Sequence, residues 1–120
     1  MTLDPEQLRQ AMRAWTTGVT VVTAIHEGKR YGMTVNSFTS LSLEPPLISV
    51  SLKQLTHTHE LVEKSGEFAL TVLSADQNDL SDRFAGKFPE ITDRFEGVTA
   101  WQEIELWQKY QDNAILCEIM

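Results

Sequence analysis

Leu8, Met12 and Trp15 recur at helical spacing behind Asp4-Pro5-Glu6, a pattern that predicts an amphipathic helix over residues 5–15. Asp4 can accept a hydrogen bond from a free backbone N–H at the helix start, and Pro5 suits the first helical position. Gly18 ends the element. Val19, Val21, Val22 and Ile25, interleaved with threonines, then have the β-branched character of a strand. His26-Glu27-Gly28-Lys29 reads as a turn, and residues 31–37 as the returning strand of a hairpin. Pro45-Pro46 interrupts the chain after Leu41 and Leu43, because proline has no N–H to give to a sheet ladder, so the next strand is expected over residues 47–53. A short helix over 58–64, a turn at Ser65-Gly66 and a strand over 67–73 follow. Ser74-Ala75-Asp76 opens a further short helix through Leu80 and Phe84, and residues 98–101 and 114–119 read as strands. Strands punctuated by short helices, without strict βαβ alternation, predict a mainly β, mostly antiparallel barrel with attached helices.

The length of 120 residues fits one domain spanning residues 1–120. With 42% hydrophobic and 22% charged residues the chain has a globular composition. Ten Lys and Arg against 17 Asp and Glu give a net charge of −7. An acidic chain without a basic run argues against nucleic acid and against an anionic membrane surface as partners. The longest strongly apolar stretch, residues 47–52, is too short to span a bilayer, and the acidic N-terminus lacks the basic start and apolar centre of a secretory signal. The lone Cys117 excludes an internal disulfide and a four-cysteine zinc site. These features point to a cytoplasmic setting.

The chemistry concentrates in two places. Gly32-Met33-Thr34-Val35-Asn36-Ser37-Phe38-Thr39-Ser40 is poor in charge and dense in hydroxyl and amide side chains. On an extended segment Thr34, Asn36 and Phe38 would share a face. Such a row suits the edge of a planar heterocycle, and equally suits a polar strand edge whose Asn and Ser cap the local backbone. The second cluster is Ser51-Leu52-Lys53 followed by Thr56-His57-Thr58-His59. Hydroxyls and backbone N–H groups at a helix start, beside a lysine, can surround a phosphate; Thr56 or Thr58 also reads as an ordinary N-cap. His57 and His59 are two apart, on opposite sides of a helix, so no metal site is expected. No dinucleotide fingerprint, P-loop, zincin or nucleophile-elbow motif is present, and no carboxylate pair stands out for acid–base work. A bound cofactor that carries the reaction would account for that poverty.

Three runs, Thr17-Gly18-Val19-Thr20-Val21-Val22-Thr23, the polar stretch 32–40, and Ser42-Leu43-Glu44-Pro45-Pro46-Leu47, resemble the flavin reductase-like domain family. The resemblance continues through Thr56-x-Thr58, Ser65-Gly66-Glu67-Phe68, Val72-Leu73-Ser74 and Leu80-Ser81-Asp82-Arg83-Phe84-Ala85-Gly86, covering residues 8–98 in order. It implies an FMN-binding split β-barrel. Thr34, Val35, Asn36, Ser37 and Ser40 match positions that wrap the isoalloxazine ring. Ser51, Leu52, Lys53, Thr56 and Thr58 match ribityl and phosphate contacts, and Arg83 and Phe84 match a later contact segment. The implied activity is hydride transfer from NADH or NADPH to FMN or FAD by a homodimer, with reduced flavin passing to a partner monooxygenase. No side chain is implied as a chemical catalyst, because positioning of the cofactors carries the reaction. The later family segment, with its Gly-Asp-His run, has no counterpart here, and residues 101–112 match poorly. The resemblance therefore implies a barrel lacking or replacing its last part. It leaves the alternative of a flavin-binding or scaffold protein without efficient NAD(P)H turnover.

Overall fold

The computed structural model describes residues 2–98 and, by backbone alone, residues 114–119. Helix α1 (Pro5–Arg13) is followed by strands β1 (Thr20–His26), β2 (Lys29–Val35), β3 (Thr39–Leu43) and β4 (Pro46–Lys53). Helix α2 (His57–Ser65), strand β5 (Ala69–Val72), helix α3 (Asn78–Phe84) and strand β6 (Ala114–Ile119) complete the order. Two three-stranded sheets result, ordered β2-β1-β5 and β3-β4-β6. The first is antiparallel throughout; in the second, β3 runs antiparallel and β6 parallel to β4.

The alternation of β1 gives its sheet two apolar faces. Val22 and Ala24 join Val35, Val50, Leu52, Leu61 and Val62 in a core shared by both sheets and α2. Val21 faces the other way and packs with Phe84 and Phe95, under α3 and the segment that follows it. Burial of aliphatic and aromatic side chains on this scale contributes about 1.5–3 kcal/mol for each fully covered residue.

Several boundaries differ from the sequence expectation. Helix α1 stops at Arg13 and closes through bonds from the Ala14 and Trp15 N–H groups to the Ala11 and Met12 carbonyls, ahead of the β-branched Thr16-Thr17 pair. None of its residues is buried, so its apolar stripe faces away from the described core. Strand β2 ends at Val35 rather than at residue 37, because residues 36–38 carry the chain from the first sheet to the second. Thr34 and Asn36 therefore do not share a strand face. β3 was not separable from the polar run in the sequence; its ladder to β4 holds it, with a register irregularity between Ser40 and Ser42. Glu67 stays outside β5 because the Ser65 hydroxyl donates to its carbonyl and accepts from its N–H. Val98 lies outside any strand, and residues 99–101 lie outside the described residues.

Candidate functional site

β2 is an outer strand of its sheet, and two helices reach it from opposite faces. Tyr31 and Met33 pack with the core that includes Leu61 and Val62 of α2. Gly32 and Thr34 face α3: the Thr34 hydroxyl donates to the Ser81 carbonyl at 2.7 Å, and Gly32 lies against the Phe84 ring. A cleft of about 330 Å³ opens along this strand. Tyr31, Met33 and Thr34 form its strand wall, Leu55, Thr56, His57 and Thr58 its α2 wall, and Phe84, Ala85 and Arg94 close it from α3 onward.

The α2 wall is a helix N-terminus. Thr56 has extended backbone angles, and its hydroxyl oxygen accepts the His59 N–H at 3.2 Å while donating to the Lys53 carbonyl at 2.9 Å. That N-cap fixes the first turn, and the N–H groups of His57 and Thr58 precede the first intrahelical acceptor. They sit at the positive end of the helix dipole, where anions are favoured. Thr58 is fully buried, and among the described residues its hydroxyl oxygen has no hydrogen-bond partner. An orphaned buried hydroxyl beside free helix-start N–H groups fits a bound phosphate oxygen. At the rim, Leu55 adopts φ 65° and is 100% exposed, an expensive combination for a branched apolar residue.

Arg94 ties the opposite wall together. Its Nη1 donates to the Gly32 and Phe84 carbonyls at 2.9 and 2.8 Å, and its guanidinium lies 4.7 Å from the Tyr31 ring centroid. Beside it, Asp93 accepts from the Phe95 N–H at 3.0 Å and from Arg30 at 3.1 Å. These bonds, the backbone one foremost, hold the Asp93 carboxyl below its usual range. Arg30 in turn covers the Phe95 ring at 4.9 Å.

Four of the residues singled out in the sequence meet in this cleft: Thr34, Thr56, Thr58 and Phe84. The others do not line it. Val35 and Leu52 are buried in the core, while Asn36 and Ser40 are exposed beyond β2 and on β3. The Ser37 hydroxyl is engaged with the Ser51 backbone, donating to its carbonyl at 2.8 Å and accepting its N–H at 3.1 Å. Lys53 is exposed, and Arg83 donates to the Glu96 carbonyl. Sequence reasoning missed Tyr31, Met33, Leu55, His57, Ala85 and Arg94. Met33 and His57 lie inside the two polar clusters but had no role assigned to them, and Tyr31 directly precedes the first cluster, but nothing local marks Arg94.

The model of the family described as flavin reductase like domain matches residues 12–115. The FMN reductase (NADH) SmoA of Agrobacterium fabrum is 51% identical over 81 residues, covering 68% of this chain and 47% of that protein. The reductase subunit HsaB of a flavin-dependent monooxygenase from Mycobacterium tuberculosis is 36% identical over 104 residues, covering 87% of this chain and 54% of its own. Among solved structures, the flavin reductase PheA2 superposes with a TM-score of 0.70 at 40% identity, over 76% of this chain and 60% of that one. The chain thus spans about half the length of these curated relatives.

Proposed function

This chain belongs to the flavin reductase-like domain family, with its mainly β split-barrel fold, and on that premise we propose that it binds FMN or FAD and accepts hydride from NADH or NADPH. The observation that carries the proposal is the junction of Thr34, Thr56, Thr58 and Phe84 around one capped helix start with an orphaned buried hydroxyl. A bound flavin would supply the redox chemistry that the side chains lack.

The chain's own residues bind and orient. The first N–H groups of α2 and the Thr58 hydroxyl hold the phosphate. Thr34 has committed its proton to Ser81, so its oxygen offers lone pairs to a ring N–H. Phe84, buried against Val21 and Phe95, gives the ring a rigid apolar neighbour. Arg94 places a fixed positive charge in the wall, where electron density gained by a ring is stabilised.

HsaB is named as a reductase subunit of a flavin-dependent monooxygenase, which supports delivery of reduced flavin to such a partner here. A homodimer fits the exposed stripe of α1, where Leu8 and Met12 are about half exposed, continued past the helix end by Trp15, which is 66% exposed. Light scattering should then give a mass about twice the chain's 13.6 kDa; a stable monomer across concentrations would reject the dimer. The central test is flavin absorbance of the purified protein, followed by NADH titration with FMN added. Retained flavin and bleaching of its absorbance by NADH are expected. A protein that binds no flavin overturns the proposal.

A further inference from the structure

Leu55 combines a strained backbone with a side chain left entirely in water. It stands with Gln54 in the tight turn between β4 and α2, at φ 65° and 100% exposed, and it lines the rim of the cleft. We propose that its side chain covers bound flavin at the mouth of the cleft and sets how slowly the flavin leaves. The inference rests on the flavin reading above and deepens it, from what holds the ligand to what governs its release.

The backbone gives the first argument. Among the described residues, Glu27 and Leu55 have positive φ without being glycine. Glu27 is accounted for by its turn: with Gly28 at φ 77° it forms the two-residue connection of the β1–β2 hairpin, whose geometry requires the left-handed region. At Leu55, glycine or asparagine would make the turn at less cost, because Cβ crowds the next carbonyl oxygen there.

The side chain gives the second. An apolar residue just before an N-cap ordinarily packs on the fourth residue of the helix as a hydrophobic staple. Thr56 is the N-cap here, so that partner is Glu60, whose carboxylate lies 2.8 Å from Lys64 Nζ. No staple forms, and the leucine covers nothing in the free protein. What it adjoins is the cleft, where Thr56, His57 and Thr58 continue the same wall. The Thr58 hydroxyl, buried and without a partner among the described residues, independently marks that wall as a binding surface. Leu55 gains contact when a ligand fills the cleft beside it, and taking its apolar surface out of water favours the bound state. Such cover slows departure far more than it changes entry.

Three variants separate the side chain from the strain. Leu55→Ala removes the side chain and keeps the strain, Leu55→Gly removes both, and Leu55→Met keeps strain and apolar reach. Release is timed by FMN fluorescence after rapid dilution of the complex, entry by stopped-flow mixing, and stability by urea midpoints of the flavin-free proteins. Leu55→Ala and Leu55→Gly should each release FMN about tenfold faster than the parent, as partial cover by a leucine allows. Entry should stay within about twofold of the parent. Leu55→Gly should also raise the urea midpoint, because glycine relieves the strain, and Leu55→Ala should not. Leu55→Met should release FMN at close to the parental rate. Parental release from both the alanine and the glycine variant overturns the proposal while the flavin reading stands. Faster release from Leu55→Gly alone also overturns it, and assigns the effect to the backbone of the turn. Unchanged release with a halved light-scattering mass overturns it too, and gives Leu55 to a contact between copies of the chain. A parent protein that binds no FMN removes the flavin reading and this one together.

Discussion

Gly32 lies so close to Phe84 that a Cβ built on the glycine would stand 2.8 Å from Cε1 and 2.9 Å from Cδ1 of the ring. The glycine is what lets the ring of α3 approach β2 this closely and form the end of the cleft. Phe84 is buried and meets Phe95 edge-on at 5.1 Å, so the space left to a displaced ring is the cleft that it lines.

Gly32→Ala should therefore destabilise the protein by about 1–3 kcal/mol, the usual effect of overpacking a filled site. Urea denaturation gives this as a lowered midpoint at unchanged slope. Flavin affinity should fall as well, because the displaced ring moves into the cleft. A midpoint equal to the parent's would show that the α3 contact yields without cost.

How far the chain can be read before its structure is known depends on whether a feature is local. The Thr56 cap, the β1–β2 hairpin and α1 follow from short-range chemistry: a hydroxyl before a helix, Gly28 at a positive φ of 77°, and Asp4-Pro5 at a helix start. The polar run 32–40 was legible as a candidate site but not as two strands in different sheets. Its break at residues 36–38 is set by the pairing of Ser37 with Ser51, fourteen residues away. Arg94 was invisible for the same reason, since its acceptor Gly32 is 62 residues distant. Val35 and Leu52 stand among the site positions through the family resemblance alone, whereas the packing of the two sheets makes both side chains core.

Thr58→Val separates a structural hydroxyl from a binding one. The substitution removes an unpartnered buried oxygen while keeping the branched shape, so the stability of the flavin-free protein should hold or rise. If the hydroxyl holds a phosphate oxygen, flavin affinity should drop by about 1–3 kcal/mol. Thr58→Ser should retain most of the affinity. Calorimetric titration of the three proteins with FMN decides it, and equal affinities would remove Thr58 from the site.

Arg94 bonds two backbone carbonyls from a single nitrogen and stacks on Tyr31, which an ammonium cannot reproduce. Arg94→Ala should lose about 2–4 kcal/mol of stability, given about 1.5–3 kcal/mol for a hydrogen bond to a charged group and incomplete additivity. Arg94→Lys should recover less than half of that loss. Full recovery by lysine, measured as urea midpoints, would mean that charge alone matters and that the planar fork does not.

Asp93 supplies a pH test with a defined sign. Its carboxyl lies below the usual range because the Phe95 N–H, and after it Arg30, bond the charged form. A carboxylate depressed in the folded state binds its proton more weakly there than in the unfolded chain. Its contribution is thus complete above the unfolded value, about 3.9, and is lost as pH falls through the lower folded value. Asn in its place keeps an oxygen for the Phe95 N–H but removes the charge that holds Arg30 over the Phe95 ring. Asp93→Asn should therefore be less stable than the parent at pH 7, and the gap should close below about pH 4. Glu60 and Asp76 are depressed in the same direction, so both proteins weaken in acid; the difference between them isolates Asp93. Urea midpoints for the pair at neutral and acid pH give that difference directly. A gap of constant size across the series would show that the Arg30 pairing adds nothing and that Asp93 serves only as a backbone acceptor.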